Sequence, residues 1–448
     1  MKYQSQQVAK LYFLGALLIF SLQIVFGLAG ATLYIAPTSI PVDLLPFSVI
    51  RMIHTNALIV WLLMGFFGCT YFLLPEETEN ELYSPFLAKL QFWVFLIAAV
   101  VAVGGYLTGH YDGRSYLEQP MFIKVGIVIV ALMFLFNCTM TALRGRKTVI
   151  TNILLMGLWG IAIFFLFAFY LPANVVIDKM FWWWVVHLWV EGVWELVMAA
   201  ILAFLLIKLT GIDREIVEKW LYVIIGMALF TGILGTGHHY YWIGTPGYWQ
   251  WIGSIFGGLE PLPFFLIVLF SFTMVRKGGR DHPNRAALLW SLGCSVMAFL
   301  GAGVWGFMHT LSWVNYYTHG TQLTAAHGHL AFYGAYAMIN LAMFTYAMPL
   351  LLGRPPYSQS LNIWSFWILT SGVIVMTLAL TGAGIMQTYL ERGLGEEYMD
   401  VQQQITAFYW VRLGGGVMVT LGLVLYLFAL LVPGRAPATS RLGLSSMS

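Results

Sequence analysis

The sequence predicts an all-α, polytopic membrane protein, because its composition is far from that of a soluble domain and its apolar residues fall into long runs. Of the 448 residues, 60% are hydrophobic and 16% are aromatic, whereas only 9% are charged. A soluble domain carries about 25% charged residues, so most of this chain must avoid water. The formal net charge of +3 is too small to indicate a nucleic-acid partner.

Twelve apolar runs are long enough to cross a hydrocarbon core of about 30 Å as helices of roughly 20 residues. Turn and charge signals separate the runs, among them PEETENE, RGRK, TGIDRE, RKGGRDHPNR, GRPP and RGLGEE. The predicted spans lie near residues 11–32, 52–75, 90–108, 121–142, 150–171, 181–207, 219–241, 257–275, 287–310, 323–350, 362–388 and 407–432. The sequence therefore predicts one transmembrane domain over residues 1–448, without a separate soluble domain.

The first apolar run argues against a signal peptide, and the cysteines argue against a covalent haem c and a thiolate metal site. Basic residues precede the first run, but it is long and lacks a small-residue cleavage site, so we expect a membrane span and not a signal peptide. The three cysteines, Cys69, Cys138 and Cys294, stand apart in apolar stretches without a CxxC or CxxCH motif. They are predicted to be packing residues, and neither a covalently attached haem c nor a thiolate metal site is expected.

The distribution of lysine and arginine predicts the orientation in the membrane. With a cytoplasmic N-terminus, the inner loops and helix ends hold Lys2, Lys10, Lys89, Arg144, Arg146, Lys147, Lys208, Arg214, Lys219, Arg276, Lys277, Arg280, Arg285, Arg354, Arg435 and Arg441. The outer side holds only Arg51, Arg114, Lys179 and Arg392. This bias predicts that both termini are cytoplasmic.

Six of the ten histidines are predicted to lie at a similar depth, in the outer parts of four spans. They are His54, His187, His238, His239, His327 and His329. One membrane histidine is commonly just hydrogen-bonded between helices, but six at one depth favour metal or haem ligation, because such groups are costly in a membrane and usually functional. The other four, which receive no role, are His110, His282, His309 and His319.

Helix geometry divides these six residues among different ligands. His327 and His329 are two residues apart, so they point to nearly opposite sides of one helix and are expected to serve two cofactors. Gly328 between them would let a planar macrocycle approach the backbone.

The other ligand candidates share faces. His187 and Glu191 are four residues apart, so they can bind one ion, and Glu195 continues that face one turn deeper. His238 and His239 differ by about 100°, which a distorted helix end can accommodate as two neighbouring ligands.

Four motifs carry a resemblance to a known family: RMIHTNALIVWLL, WWWVVHLWVEGVWE, GTGHHYYWIG and AAHGHLAFYGAYAMIN. In this order and spacing they resemble the haem–copper oxidase superfamily, and most closely the large, cytochrome b subunits of bacterial nitric oxide reductases. The resemblance covers essentially the whole chain. It implies a twelve-helix bundle of the haem–copper oxidase kind in the bacterial cytoplasmic (inner) membrane.

The resemblance also implies a low-spin haem b, a high-spin haem b and a non-haem iron. The low-spin haem would be bound by His54 and His329, and the high-spin haem by His327. The non-haem metal would take its nitrogen ligands from His187, His238 and His239, with Glu191 as an oxygen ligand.

Glu191 distinguishes the chain from oxygen-reducing relatives of the commonest kind. They resemble H-P-E-V-Y in this region, and their tyrosine, four residues after the histidine, is cross-linked to a metal-ligating histidine. A carboxylate beside three imidazoles suits iron, whereas three histidines alone serve copper well. The resemblance thus implies reduction of two NO to N₂O and water. A neutral, buried carboxyl that only hydrogen-bonds a neighbour is the alternative for Glu191.

Other charged residues have weaker assignments. Glu195 and Glu260 could relay protons or tune the non-haem iron, with a purely structural ion pair or hydrogen bond as the alternative. Glu118 resembles a family position that helps bind a structural calcium near haem propionates. Arg51, one turn before His54, could pair with a propionate. For Glu118 and Arg51, an ordinary solvated charge is the alternative.

The implied partner is a membrane-anchored cytochrome c subunit on the periplasmic side, since the chain has no CxxCH motif and no extended hydrophilic N-terminal domain. Two other classes remain open. A haem–copper-type terminal oxygen reductase would contain copper in place of non-haem iron, and a transporter with proton-coupling histidines would contain no haem.

Ionisable residues are few within the predicted spans. Apart from histidine and from Lys219 at the inner end of the seventh span, they are Lys124, Glu191, Glu195, Glu260 and Arg412, all in the outer or middle part of the bundle. A charge in hydrocarbon costs several kcal/mol, so a proton path needs such groups or hydrated polar side chains. The sequence therefore favours proton supply from the periplasm and no proton pumping.

Overall fold

A computed structural model describes residues 2–279, 281–354 and 358–431, and within these ranges it contains helices and no β-strands. Twelve helices are long and apolar enough to cross a membrane, and we number them α1 to α12 in chain order. They are Gln4–Leu33, Phe47–Thr78, Pro85–Leu107, Met121–Arg144, Val149–Phe169, Val175–Thr210, Arg214–Tyr240, Tyr248–Lys277, Arg285–Thr310, Gln322–Leu351, Gln359–Leu394 and Thr406–Leu431. Each corresponds to one predicted span, so the all-α fold class and the number of spans are confirmed.

Part of the orientation prediction lies outside the described residues, namely Arg280, Arg435 and Arg441. The same holds for the two prolines of GRPP and for the predicted domain end after residue 431. The three cysteines are free and buried, as predicted for packing residues.

The connecting loops alternate between two ends of the bundle. At the predicted outer end, the Arg114 guanidinium donates to the carbonyl oxygens of Ala168 and Tyr170 and pairs with Asp178. At the predicted inner end, the backbone N–H groups of Gln4 and Ser5 donate to Glu81. Side-chain contacts to the backbone of neighbouring segments thus tie the helices together at both ends.

The helices are longer than hydropathy indicates, which corrects the set of ionisable residues in the spans. Helix α2 continues to Thr78 and carries Glu76 and Glu77 in its last turns. Glu77 is only 2% exposed and accepts hydrogen bonds of 2.7 and 2.8 Å from Arg214, and Glu76 pairs with Lys208. Hydropathy excludes these two charged residues from the predicted span. In the structure, pairing with cations at the end of the bundle makes their burial tolerable.

Three helices form the centre of the bundle. In the most apolar windows of α2, α6 and α10, 83%, 83% and 94% of the residues are buried, against 50% or less in the other nine. These three helices carry His54, His187, His327 and His329. Most of each of these three histidine-bearing helices is therefore enclosed by the rest of the protein.

Regular α-helical geometry is interrupted in several of the helices that carry the candidate site residues. Helix α6 contains a π-turn at Trp189–Val193, and α10 contains another at Phe332–Ala337. Helix α7 ends in a 3₁₀ turn, Thr236–Tyr240, and α8 is interrupted just before Pro261. Single π-turns inside α-helices frequently mark functional sites, because they redirect side chains.

Candidate functional site

The first element of the site is a pair of facing histidines on α2 and α10. The ring centres of His54 and His329 are 6.2 Å apart and their planes differ by 29°. Nδ1 of His54 lies 2.8 Å from the carbonyl oxygen of Gln23, and Nδ1 of His329 lies 2.7 Å from that of Ala325. These contacts leave Nε2 of each ring for a metal.

This pair fits a haem. An iron bound through both Nε2 atoms at about 2 Å would leave the ring centres roughly 6 Å apart. Helix α1 passes close to the pair through Gly27, where a Cβ atom would lie 2.7 Å from Cε1 of His54. A side chain at this position would displace the ligand, so a glycine is needed there.

The second element is His327, on the other side of α10. Its Nδ1 lies 3.0 Å from the carbonyl oxygen of Gly301, and its Nε2 lies 3.9 Å from Oε1 of Glu191. The prediction that His327 and His329 face different surroundings is confirmed by these contacts.

A cavity of about 160 Å³ lies between His327 and the histidines of α6 and α7. Its lining includes His187, Glu191, His239, His327 and Gly328. A Cβ atom at Gly328 would meet no other group within 4 Å, so there is room for a planar group against the backbone of α10. The lining residues therefore fit a second haem.

The third element is the group His187, His238 and His239. Nδ1 of His187 lies 3.0 Å from Nε2 of His239, and the ring centres of His187 and His238 are 5.0 Å apart. One nitrogen from each of the three lies within 4.8 Å of the others, which is compatible with a common metal ion. The 3₁₀ turn that ends α7 brings the two adjacent histidines together, as the predicted distortion requires.

Two carboxylates lie beside His187 and form a second candidate metal-binding group with it. Oε2 of Glu191 lies 3.4 Å from Nδ1 of His187, and Oε1 of Glu260 lies 3.9 Å from Nε2 of the same ring. Glu191 sits inside the π-turn of α6 with a non-helical backbone, φ −108° and ψ 36°. Glu260 precedes the first residue of the second half of α8. Both carboxylates are therefore placed by breaks in helices.

Two polar atoms at this point are buried without a hydrogen-bond partner, Nδ1 of His238 and Oε1 of Glu260. Leaving such atoms unsatisfied is costly, so a group that binds them is expected. A metal ion fits this requirement, because imidazole nitrogens and a carboxylate are suitable ligands for it.

Glu195 does not join the metal-binding group, although it was predicted to share the face of His187 and Glu191. It is 5% exposed and interacts electrostatically with Glu191 and Glu260. The π-turn Trp189–Val193 contains Glu191 and ends before Glu195, so it changes the direction of the side chains that follow it.

Glu118, in the outer loop between α3 and α4, is buried and only partly hydrogen-bonded. Glu118 is only 3% exposed, so the interpretation as a solvated loop charge is wrong for this residue. Its Oε2 accepts a hydrogen bond of 2.9 Å from Asn56, while its Oε1 is buried without a partner. Burial raises the pKa of Tyr116 in this loop, although the charge of Arg51 opposes the shift, so Arg51 lies near the same loop.

Two residues without a predicted role lie at the site. The ring of His309 is 5.4 Å from that of His327, and the indole of Trp183 stacks on His239 at 3.6 Å. His309 falls within the ninth predicted span, near its outer end, so its depth could have placed it with the other six histidines. Trp183 lies one turn before His187, a spacing that points to the same helix face.

The comparisons with known proteins agree with this arrangement. The model of the family "Cytochrome C and Quinol oxidase polypeptide I" matches residues 7–418. A nitric oxide reductase subunit of Stutzerimonas stutzeri is 55% identical over 459 residues, 98% of this chain and 97% of the relative. A cytochrome c oxidase subunit 1 homolog of Agrobacterium tumefaciens is 24% identical over 83% of this chain and 73% of its own length.

The fold is also found among solved structures. A heme-copper terminal oxidase dimer studied by cryo-EM aligns with a TM-score of 0.73, over 97% of this chain and 84% of that chain. At 14% sequence identity, this likeness concerns the fold alone.

Together, the fold and the site define a membrane-bound oxidoreductase subunit. The chain belongs to the family of cytochrome c and quinol oxidase polypeptide I and is a multi-pass protein of the bacterial inner membrane. Membership in this family implies a haem and a metal centre.

Proposed function

We propose that this chain is the catalytic subunit of a nitric oxide reductase, which performs 2 NO + 2 e⁻ + 2 H⁺ → N₂O + H₂O. The observation that carries the proposal is the carboxylate of Glu191, 3.4 Å from His187, the residue that the three-histidine group shares with the group His187, Glu191 and Glu260. Oxygen ligands favour iron over copper at such a site. The high identity to the nitric oxide reductase subunit of Stutzerimonas stutzeri supports the same function.

Residues on separate helices would hold the cofactors. A low-spin haem b would lie between His54 and His329, a high-spin haem b on His327, and a non-haem iron in the group His187, His238, His239 and Glu191. When bound, the high-spin haem and the non-haem iron would supply the electrons and hold both NO molecules. The backbone carbonyls of Gln23, Ala325 and Gly301 orient three of the histidines.

Protons for the water product would come through the carboxylates. Glu260 and Glu191 both lie within 4 Å of His187, in the half of the bundle predicted to face the periplasm. Glu195 is the next carboxylate along α6 and interacts with both. We assign Glu260 and Glu195 to proton transfer and Glu191 to both metal binding and catalysis.

The electron donor would be a membrane-anchored cytochrome c subunit bound at the periplasmic end. The relative is itself one subunit of its reductase, which supports an assembly with another chain. In this arrangement residues 1–448 form one catalytic domain with both termini in the cytoplasm.

A calcium ion would suit the buried Glu118, since carboxylates and amide oxygens are its usual ligands. The unpartnered Oε1 of Glu118 supplies the oxygen, and Arg51 beside this loop would pair with a propionate.

Glu191→Ala tests the proposal in the purified complex. We expect non-haem iron and NO turnover to fall at least about tenfold while both haem spectra remain, because weakening of a metal's ligand surroundings has effects of this size or more. Glu215→Ala is a control, since this exposed residue at the inner end of α7 pairs only with Lys219 among the described residues.

Three outcomes would contradict the proposal. Wild-type iron content and turnover in Glu191→Ala would reduce Glu191 to a structural residue. Copper in the parent protein in place of non-haem iron would indicate an oxygen reductase. A parent protein without haem spectra would indicate a transporter.

A further inference from the structure

The most unusual cation in the described part of the chain is Arg412, in the second turn of α12. Its Nε and Nη1 atoms are buried and have no hydrogen-bond partner. The guanidinium carbon lies 4.9 Å above the ring of Tyr34, and no carboxylate is among the groups that act on this residue electrostatically. A guanidinium without a countercharge in such a place is unfavourable, so it requires an anion that the described residues do not supply.

The position of Arg412 identifies the neighbouring site. Arg412 is six residues after the start of α12, and His54 and His329 are each seven residues after the starts of α2 and α10. At 1.5 Å per residue all three lie at about 10 Å from the outer helix ends. Helix α1 connects the two places, because Gly27 packs on His54 and the next residue, Leu28, would lie 3.0 Å from a Cβ atom at Gly416, one turn after Arg412. The charge of Arg412 also acts electrostatically on both imidazoles.

Close helix packing holds Arg412 in place. Helices α11 and α12 approach so closely that a Cβ atom at Gly372 would lie 2.7 Å from the carbonyl oxygen of Gly415. Gly415 is one turn after Arg412 on the same helix. Because small residues allow such backbone contact, α12 cannot easily rotate to carry the guanidinium away.

We propose that Arg412 binds a carboxylate of the haem held by His54 and His329 and raises the reduction potential of that haem. The inference rests on the proposed function, which places a haem there. Each of the two unpartnered atoms, Nε and Nη1, can donate a charge-assisted hydrogen bond to a carboxylate oxygen. A fixed positive charge in a medium of low dielectric constant disfavours the ferric state, which carries one more positive charge than the ferrous state.

Redox titration of the low-spin haem in the whole complex tests this proposal. We expect Arg412→Gln to lower the reduction equilibrium constant at least tenfold, which is a shift of about 59 mV for a one-electron couple. Arg412→Lys retains the charge and should remain closer to the parent. The control is Arg392→Gln, an exposed residue at the same end of the bundle.

The outcomes are distinguishable. If Arg412→Gln contains the low-spin haem at an unchanged potential, the inference is wrong and the proposed function stands. If Arg412→Gln does not assemble, Arg412→Lys decides the question: a potential close to that of the parent supports the role of the charge, and a reduction equilibrium constant lowered tenfold or more overturns it. If the parent has no low-spin haem, both proposals are overturned.

Discussion

Gly232→Ala should disable the metal-binding group without replacing any of its ligand residues. A Cβ atom at Gly232 on α7 would lie 1.8 Å from the carbonyl oxygen of Glu191 and 3.0 Å from its carbonyl carbon. Both atoms belong to the backbone, so a change of side-chain rotamer cannot relieve the overlap. Ordinary contact begins at 3.4 Å, so α7 and the π-turn must separate by about 1.6 Å.

A displacement of this size is large for a metal site. Ligand distances are usually within about 0.2 Å of their ideal values, and overpacking in a well-packed interior costs about 1–3 kcal/mol. The carbonyl oxygen of Gly232 also lies 3.1 Å from Nε2 of His187, so the same movement disturbs two ligands. We therefore expect a loss of non-haem iron and of NO turnover of tenfold or more.

The assay is iron content per polypeptide, the optical spectrum and NO turnover of the purified complex. Gly226→Ala is the matched control, because it lies on the same helix and its Cβ atom would meet no other group within 4 Å. The low-spin haem spectrum should persist in both variants, since its ligands are on α2 and α10. Parent-like iron content and turnover in Gly232→Ala would refute the described packing of α6 against α7.

Three further predictions concern other parts of the molecule. His54→Ala should abolish the low-spin haem spectrum and block electron entry while the high-spin haem remains; an unchanged spectrum would contradict the assignment. Arg214→Ala leaves the buried carboxylate of Glu77 without its main partner, which should cost about 3–5 kcal/mol and lower the thermal midpoint. Lys219→Ala, in an exposed pair, serves as its control and should leave the midpoint unchanged. In sealed vesicles with an external donor, NO reduction should proceed without net proton uptake from the interior, and a membrane potential that builds during turnover would contradict the periplasmic proton supply.

The number of spans and the candidate histidine ligands followed from sequence because both depend on local rules. An apolar run of sufficient length must be a helix in a membrane, since every backbone polar group needs an internal partner there. The two-residue spacing of His327 and His329 places them on opposite sides of α10 whatever the neighbouring helices are. Glu191 could likewise be related to His187 by its four-residue spacing.

Tertiary packing decided the rest. The π-turn redirects Glu195 away from Glu191, and helical spacing gives no sign of it. Gly257, Gly258 and Pro261 do signal the break in α8, but not that the break brings Glu260 to His187. Glu118 looked like a loop charge because its burial depends on contacts between a loop and Asn56 on α2. Arg412 lies far along the chain from His54 and His329, and only the association of α1, α2, α10, α11 and α12 brings its charge beside them. Sequence spacing describes one helix at a time, whereas breaks, buried loops and neighbouring charges result from the contacts among many helices.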